Sequence, residues 1–256
     1  MLTLTSCDLL SAESQPVMTT TPVSTPILTP RNPPQPNYHV DYCGVSKAQY
    51  EGQPSNVLLT IDDYPADRDA ERMIRIADWA RQAGVMMEAF PIKSKTDAHK
   101  KATGIDLVEE LRTRGTYVSN HSLSHRELTQ LSQNEVLEEV RQGIRSTYLR
   151  PPYGSYTSII KQLVESEGYR LCLWNIDTND WRKINGKYPS VEELVRRVHL
   201  QLQEIPTGTP VVILGHYYTN YPDALQSIVE EVEAMGNRIC PTPAAPVTEE
   251  VPYPIC

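Results

Sequence analysis

Asp62 and Asp63 stand side by side at the end of an apolar run, 57–61. His121 and His125 follow the run 116–120, and Arg150, with Pro151, Pro152, Tyr153 and Gly154 behind it, follows 147–149. Asp177, Asp180 and Trp181 come after the run 169–176, and His216 comes after 211–215. Two neutral imidazoles and one carboxylate make a donor set for a divalent metal that keeps positions open, as in catalytic zinc sites. Either aspartate could complete the set, because successive strand side chains point to opposite faces while the backbone at a strand end can turn. The other could then act on a water. With a histidine to protonate a leaving group, such residues suit metal-assisted hydrolysis. Each motif alone has a plainer explanation. Adjacent aspartates cap turns, an Arg-Pro-Pro run is a rigid loop, Asp-Trp is an exposed turn, and His216 could be a satisfied core histidine. Their shared position at strand ends favours the functional explanation, since chemistry in parallel α/β folds gathers at the carboxyl ends of strands.

The elements that must carry these residues alternate. Strands are expected at 57–61, 85–89, 116–120, 147–149, 169–176, 211–215 and 238–240. A helix over 67–83 puts Met73, Ile76, Ala77 and Ala80 on one face and stops at Gly84. Another over 105–114 stops at Gly115. Ser132 with Glu135, and Ser190 with Glu193, are capping boxes that open two more helices. The first of these is expected to bury Val136, Leu137, Val140 and Ile144, the second Leu194, Val195 and Val198. Helices over 157–167 and 223–235 complete the pattern of βα units around a parallel sheet, open or closed into a barrel.

The net charge of -8 and pI near 5.3 exclude the basic footprint of a nucleic-acid binder. At the N-terminus, residues 1–10 contain Leu4-Thr5-Ser6-Cys7, similar to a lipobox whose cysteine carries a lipid anchor, although no charged and apolar signal segment precedes it. Residues 11–37 hold prolines at 16, 22, 26, 30, 33, 34 and 36, which predicts a disordered, semi-extended linker. The body then runs over 38–240, with a proline-rich, loosely packed tail over 241–256. A tethered or secreted extracytoplasmic protein follows from this layout. The five cysteines show no metal-ligand spacing. Cys172, in an apolar run, is expected to be a buried free thiol, with Cys43, Cys240 and Cys256 supplying one disulfide.

Taken in order, the motifs resemble the NodB-homology polysaccharide deacetylases, carbohydrate esterase family 4. Thr60-Ile61-Asp62-Asp63, His121 to His125, Arg150 to Gly154, Asp177 to Trp181, and Leu214-Gly215-His216 are similar to its five motifs. The resemblance implies a distorted (β/α)7–8 barrel holding zinc, or a similar divalent ion such as cobalt, on Asp63, His121 and His125. By the same likeness Asp62 is the base, Arg150 pairs with it, and the Tyr153 N–H stabilises the oxyanion. His216 is then the acid, Asp180 orients it, and Trp181 and Leu214 line the acetyl pocket. The implied substrate is an N-acetylated polysaccharide, peptidoglycan or chitin-like. Tyr64 stands where the family has glycine and is expected to reshape the sugar-binding surface. Tyr217 and Tyr218 add aromatics beside His216. A catalytically silent glycan-binding barrel and an esterase for O-acetyl xylan are the competing expectations.

Overall fold

The computed structural model describes residues 42–50, 52–63, 70–244, 246–251 and 255–256. Cys7 of the expected lipobox, the expected linker over 11–37, and Tyr64 lie outside these residues. The central strand is β1 (Asn56–Asp62), flanked by β2 (Met87–Phe90) and β7 (Val211–His216), all parallel. β3 (Tyr117–Val118) extends the sheet beyond β2, and β6 (Ile176–Asp177) extends it beyond β7. A parallel pair, β4 (Tyr148–Leu149) and β5 (Arg170–Leu171), joins through the Asn120–Leu149 bridge. Seven strands thus form an incomplete ring in the order β6-β7-β1-β2-β3-β4-β5. β8 (Arg238–Ile239) pairs with the start of β1. The architecture is a distorted (β/α) barrel.

Alternation along β1 explains both the layers and the site. Val57, Leu59 and Ile61 pack outward against helices, whereas Leu58 packs inward with Met86, Phe90, Tyr117, Tyr148 and Val212. Thr60 and Asp62 share the parity of Leu58 and therefore face the barrel interior. The outer layer includes α1 (Ala70–Ala83), α3 (Leu107–Thr113), α6 (Val191–Glu204) and α7 (Tyr221–Ala234). Each buries an apolar stripe, and each fully buried Leu, Ile or Val contributes about 1.5–3 kcal/mol. α4 (Gln133–Arg141) and α5 (Ser158–Ser166) pack under β4 and β5.

Four expectations need correction. The run 169–176 is two strands rather than one. The chain leaves the ladder after β5, and Asn175 substitutes its side chain, donating to the Pro210 carbonyl at 2.7 Å and accepting from the Val212 N–H at 2.8 Å. A further helix, α2 (Lys93–Thr103), has no apolar period for sequence to read, because it buries only Thr96 and His99. Cys172 is not a free thiol: it is bonded to Cys43, and Cys240 is bonded to Cys256. A partner 129 residues away leaves no local signal. Nor is the tail loose, since Val247 and Val251 are buried in the inner cluster with both disulfides.

Candidate active site

The geometry starts at the end of β1. In the parallel register, Asp62 lies between Phe90 of β2 and His216 of β7. Asp63 should point the other way by alternation. It turns back to the barrel mouth because its backbone adopts a left-handed conformation, φ 64°, pinned by its N–H donating to the Phe90 carbonyl at 3.1 Å. Two adjacent carboxylates thereby face one cavity. Non-glycine residues with positive φ are uncommon. Of the seven among the described residues, Asp63, Ser122, His125, Tyr153 and Asn179 belong to the motif loops around this cavity. Such conformations cost on the order of 1–3 kcal/mol each and persist where the surroundings over-determine them.

The loop between the histidines shows how it is over-determined. Asn120 accepts from the Ser122 N–H at 2.8 Å, and Ser122 Oγ accepts from the His125 N–H at 2.9 Å. Buried Glu139 of α4 accepts from the backbone and hydroxyl of Ser124. The His121 Nδ1–H donates to the Arg150 carbonyl at 2.8 Å. That bond fixes the tautomer and turns the Nε2 lone pair toward Asp63. Nε2 of His121 and of His125 lie 3.3 and 3.1 Å from Asp63 Oδ1. This oxygen is buried and accepts no hydrogen bond. Three ligand atoms within 4.8 Å of one another, with lone pairs facing inward, fit a divalent cation.

Arg150 lies beneath, with no solvent exposure. Its guanidinium donates to Asp62 Oδ1 at 2.6 Å and to Thr60 Oγ1 at 2.8 Å. It stacks 4.0 Å from the Phe90 ring centroid and touches the sulfurs of the Cys43–Cys172 bond. The ion pair ties up one oxygen of Asp62. The other, Oδ2, faces His121 Nε2 at 3.8 Å.

On the opposite wall, His216 Nδ1 donates to buried Asp180 at 2.8 Å, and the His216 N–H donates to the same carboxylate at 2.7 Å. The Thr219 hydroxyl also donates to Asp180. Burial of His216 opposes its protonation, but the hydrogen bond and charge of Asp180, with Asp63 and Asp62 beyond, push it up to about 9. Asp177 faces the cavity as well, and burial raises its pKa despite the Asn179 N–H that it accepts.

These groups line a cavity of about 400 Å³ together with Tyr153, Trp174, Trp181, Leu214 and Tyr218. Every expected site residue among those described therefore converges on one cavity or, for Arg150 and Asp180, lies directly behind it. Tyr153 and Trp181 stand exposed at the rim and Leu214 is buried. The two tyrosines after His216 divide: Tyr217 is core, and Tyr218 lines the cavity. Sequence reasoning missed Trp174, Thr219 and Glu139. Trp174 falls inside a run read as strand, and Glu139 inside a helix read as amphipathic. Thr219 shows only its position three residues after His216.

Residues 49–172 match the family model for polysaccharide deacetylases, a span that contains the Asp62-Asp63, His121–His125 and Arg150 motifs. This stretch belongs to the polysaccharide deacetylase family. A bifunctional xylanase/xylan deacetylase of Cellvibrio japonicus is 30% identical to this chain over 194 residues, 72% of this chain and 26% of the relative. The peptidoglycan-N-acetylmuramic acid deacetylase PdaC of Bacillus subtilis is 29% identical over 192 residues, 72% of this chain and 37% of its own length. The chain thus spans well under half the length of these relatives. Among solved structures, the Bc1960 peptidoglycan N-acetylglucosamine deacetylase superposes with a TM-score of 0.62 at 20% identity, covering 82% of this chain and 96% of that one, which shows the shared fold.

Proposed function

We propose that the protein hydrolyses N-acetyl groups on a cell-wall or chitin-like polysaccharide, with a divalent cation, zinc or cobalt, held by Asp63, His121 and His125. The observation that carries this proposal is the convergence of that donor set, a carboxylate paired to a buried arginine, and a histidine paired to a buried aspartate on one cavity. When bound, the cation supplies Lewis acidity to an acetamide carbonyl and to a water. The protein's own residues do the rest. Arg150 holds one oxygen of Asp62, and the outward oxygen accepts a proton from the attacking water. The Tyr153 N–H offers a hydrogen bond to the oxyanion. His216, protonated and oriented by Asp180, gives its proton to the departing amine. Trp181 and Leu214 enclose the acetyl methyl.

Two disulfides among the described residues suit an oxidising, extracytoplasmic setting, with Cys7 available to a lipid. The named substrates of the relatives, peptidoglycan and acetylated xylan, set the assay panel. Acetate release is measured on chitin oligomers, peptidoglycan and acetylated xylan. A chelator should abolish it and zinc or cobalt restore it, and Asp62→Asn should lower the rate by about a thousandfold. Release from acetylated xylan alone would replace the amide reaction with the ester one. Glycan affinity without acetate from any substrate would leave a binding barrel.

A further inference from the structure

Between Asp180 and α6 the chain projects a small hairpin that the chemistry described above does not use. Ile184 and Lys187 exchange two backbone hydrogen bonds at 2.9 and 3.1 Å across Asn185 and Gly186, both at positive φ (52° and 76°). Asn-Gly at those two positions fits a type I′ turn, the tightest hairpin connection. Both feet are tied down. Arg197 of α6 donates to the Thr178 and Asn179 carbonyls at one end, and Asn220 donates to the Pro189 carbonyl at the other. The hairpin is therefore a fixed structure rather than a loose loop.

Its composition is unlike that of the rest of the protein. The chain carries a net charge of -8, yet residues 181–188 contain Arg182, Lys183 and Lys187 and no acid. All three side chains belong to exposed residues, and none is ion-paired to a carboxylate among the described residues. The charge is also connected to the cavity. Lys183 lies 4.6 Å over the Tyr188 ring, Tyr188 meets Tyr218 edge-on at 6.1 Å, and Tyr218 lies 5.4 Å from the His216 ring. Exposed Trp181 continues the apolar side of the path from the cavity rim. A row of aromatic faces leading from the acid histidine to unpaired cations suits sugar rings stacked along the row and an anionic group at its end.

We propose that Arg182, Lys183 and Lys187 form an anion subsite that selects an acidic glycan, one bearing carboxylates on sugars next to the acetylated residue, over a neutral one. The proposal deepens the deacetylase assignment and rests on it only for the direction of the chain through the cavity. Three probes test it: a neutral N-acetylglucosamine hexamer, a hexamer whose alternate sugars carry lactyl carboxylates, and the same strand with those carboxylates amidated. Binding to the chelated full chain is measured by calorimetry, and acetate release by the zinc-loaded chain. The acidic strand should bind about tenfold tighter than its amide at low salt. The difference should shrink as salt rises toward about 0.2 M. In R182Q/K183Q/K187Q the two strands should bind alike. Equal binding to the wild type, or a preference that survives in the triple variant, overturns the subsite. So does a triple-variant defect seen only on phosphatidylglycerol vesicles, which would assign the cations to a membrane surface. A charge preference without acetate from any strand would leave the subsite standing and remove the deacetylase.

Discussion

Asp180 illustrates how much one residue can be asked to do. It has no solvent exposure and accepts from the imidazole and the N–H of His216 and from the Thr219 hydroxyl. This arrangement pushes His216 up to about 9. The sign follows directly: His216 stays protonated, and fit to act as an acid, until the pH rises through that value. Its contribution to stability is complete below the unfolded value of about 6.5 and is lost between there and 9. Asp180→Asn removes the charge, so the His216 midpoint, followed by NMR in the chelated protein, should fall back toward about 6.5. The alkaline limb of acetate release should move to lower pH with it. An unmoved midpoint would show that Asp180 does not set the histidine's charge. Thr219→Val deletes one donor and keeps the charge. It should lower kcat about tenfold through looser positioning, with a small shift of the pH profile.

The element that orients these residues is β7 with the turn behind it. Gly215 lies between Leu214 and His216, and a Cβ there would sit 2.1 Å from the ring of Tyr221, the first residue of α7. The close approach lets α7 begin directly beside the strand end and hold Thr219 under Asp180. Gly215→Ala should therefore cost about 3 kcal/mol in urea unfolding through overpacking. The cost should shrink in a Tyr221→Leu background, because the two positions compete for one volume. Additive losses would mean that the contact is not the reason for the glycine. β1 offers the contrast. Its alternation of Val57, Leu59 and Ile61 with Leu58, Thr60 and Asp62 was legible as a buried strand, but which parity faces the barrel depends on what packs on each side.

At the scale of the whole molecule, the two disulfides close the structure around its inner cluster. Cys43–Cys172 links the segment ahead of β1 to the break after β5, and its sulfurs lie against the Arg150 guanidinium. Cys43→Ser with Cys172→Ser opens a loop spanning 129 residues. The double variant should lose about 5 kcal/mol in chemical denaturation, by the loop-entropy account. Cys240–Cys256 ties the C-terminal segment over the end of β8 and keeps Val247 and Val251 in the core, so the tail belongs to the barrel.

The alternation of strands and helices, the N-caps at Ser132 and Ser190, and the placement of each polar motif at a strand end were set by local order in the sequence, because hydrophobic period and cap chemistry act over a few residues. Only Ser132 closes the full box with Glu135, since the Glu193 carboxylate is taken by Arg196 and Arg197. The residues proposed as donor set, acid and base could all be picked out from that local order. Three things were decided only in three dimensions. Asp63 turns toward the same cavity as Asp62 through a left-handed backbone held by β2. Thr219 and Glu139 support motifs on other elements. Cys172 finds Cys43 across the barrel. Each depends on contacts between segments far apart in the chain, and such contacts have no period to read.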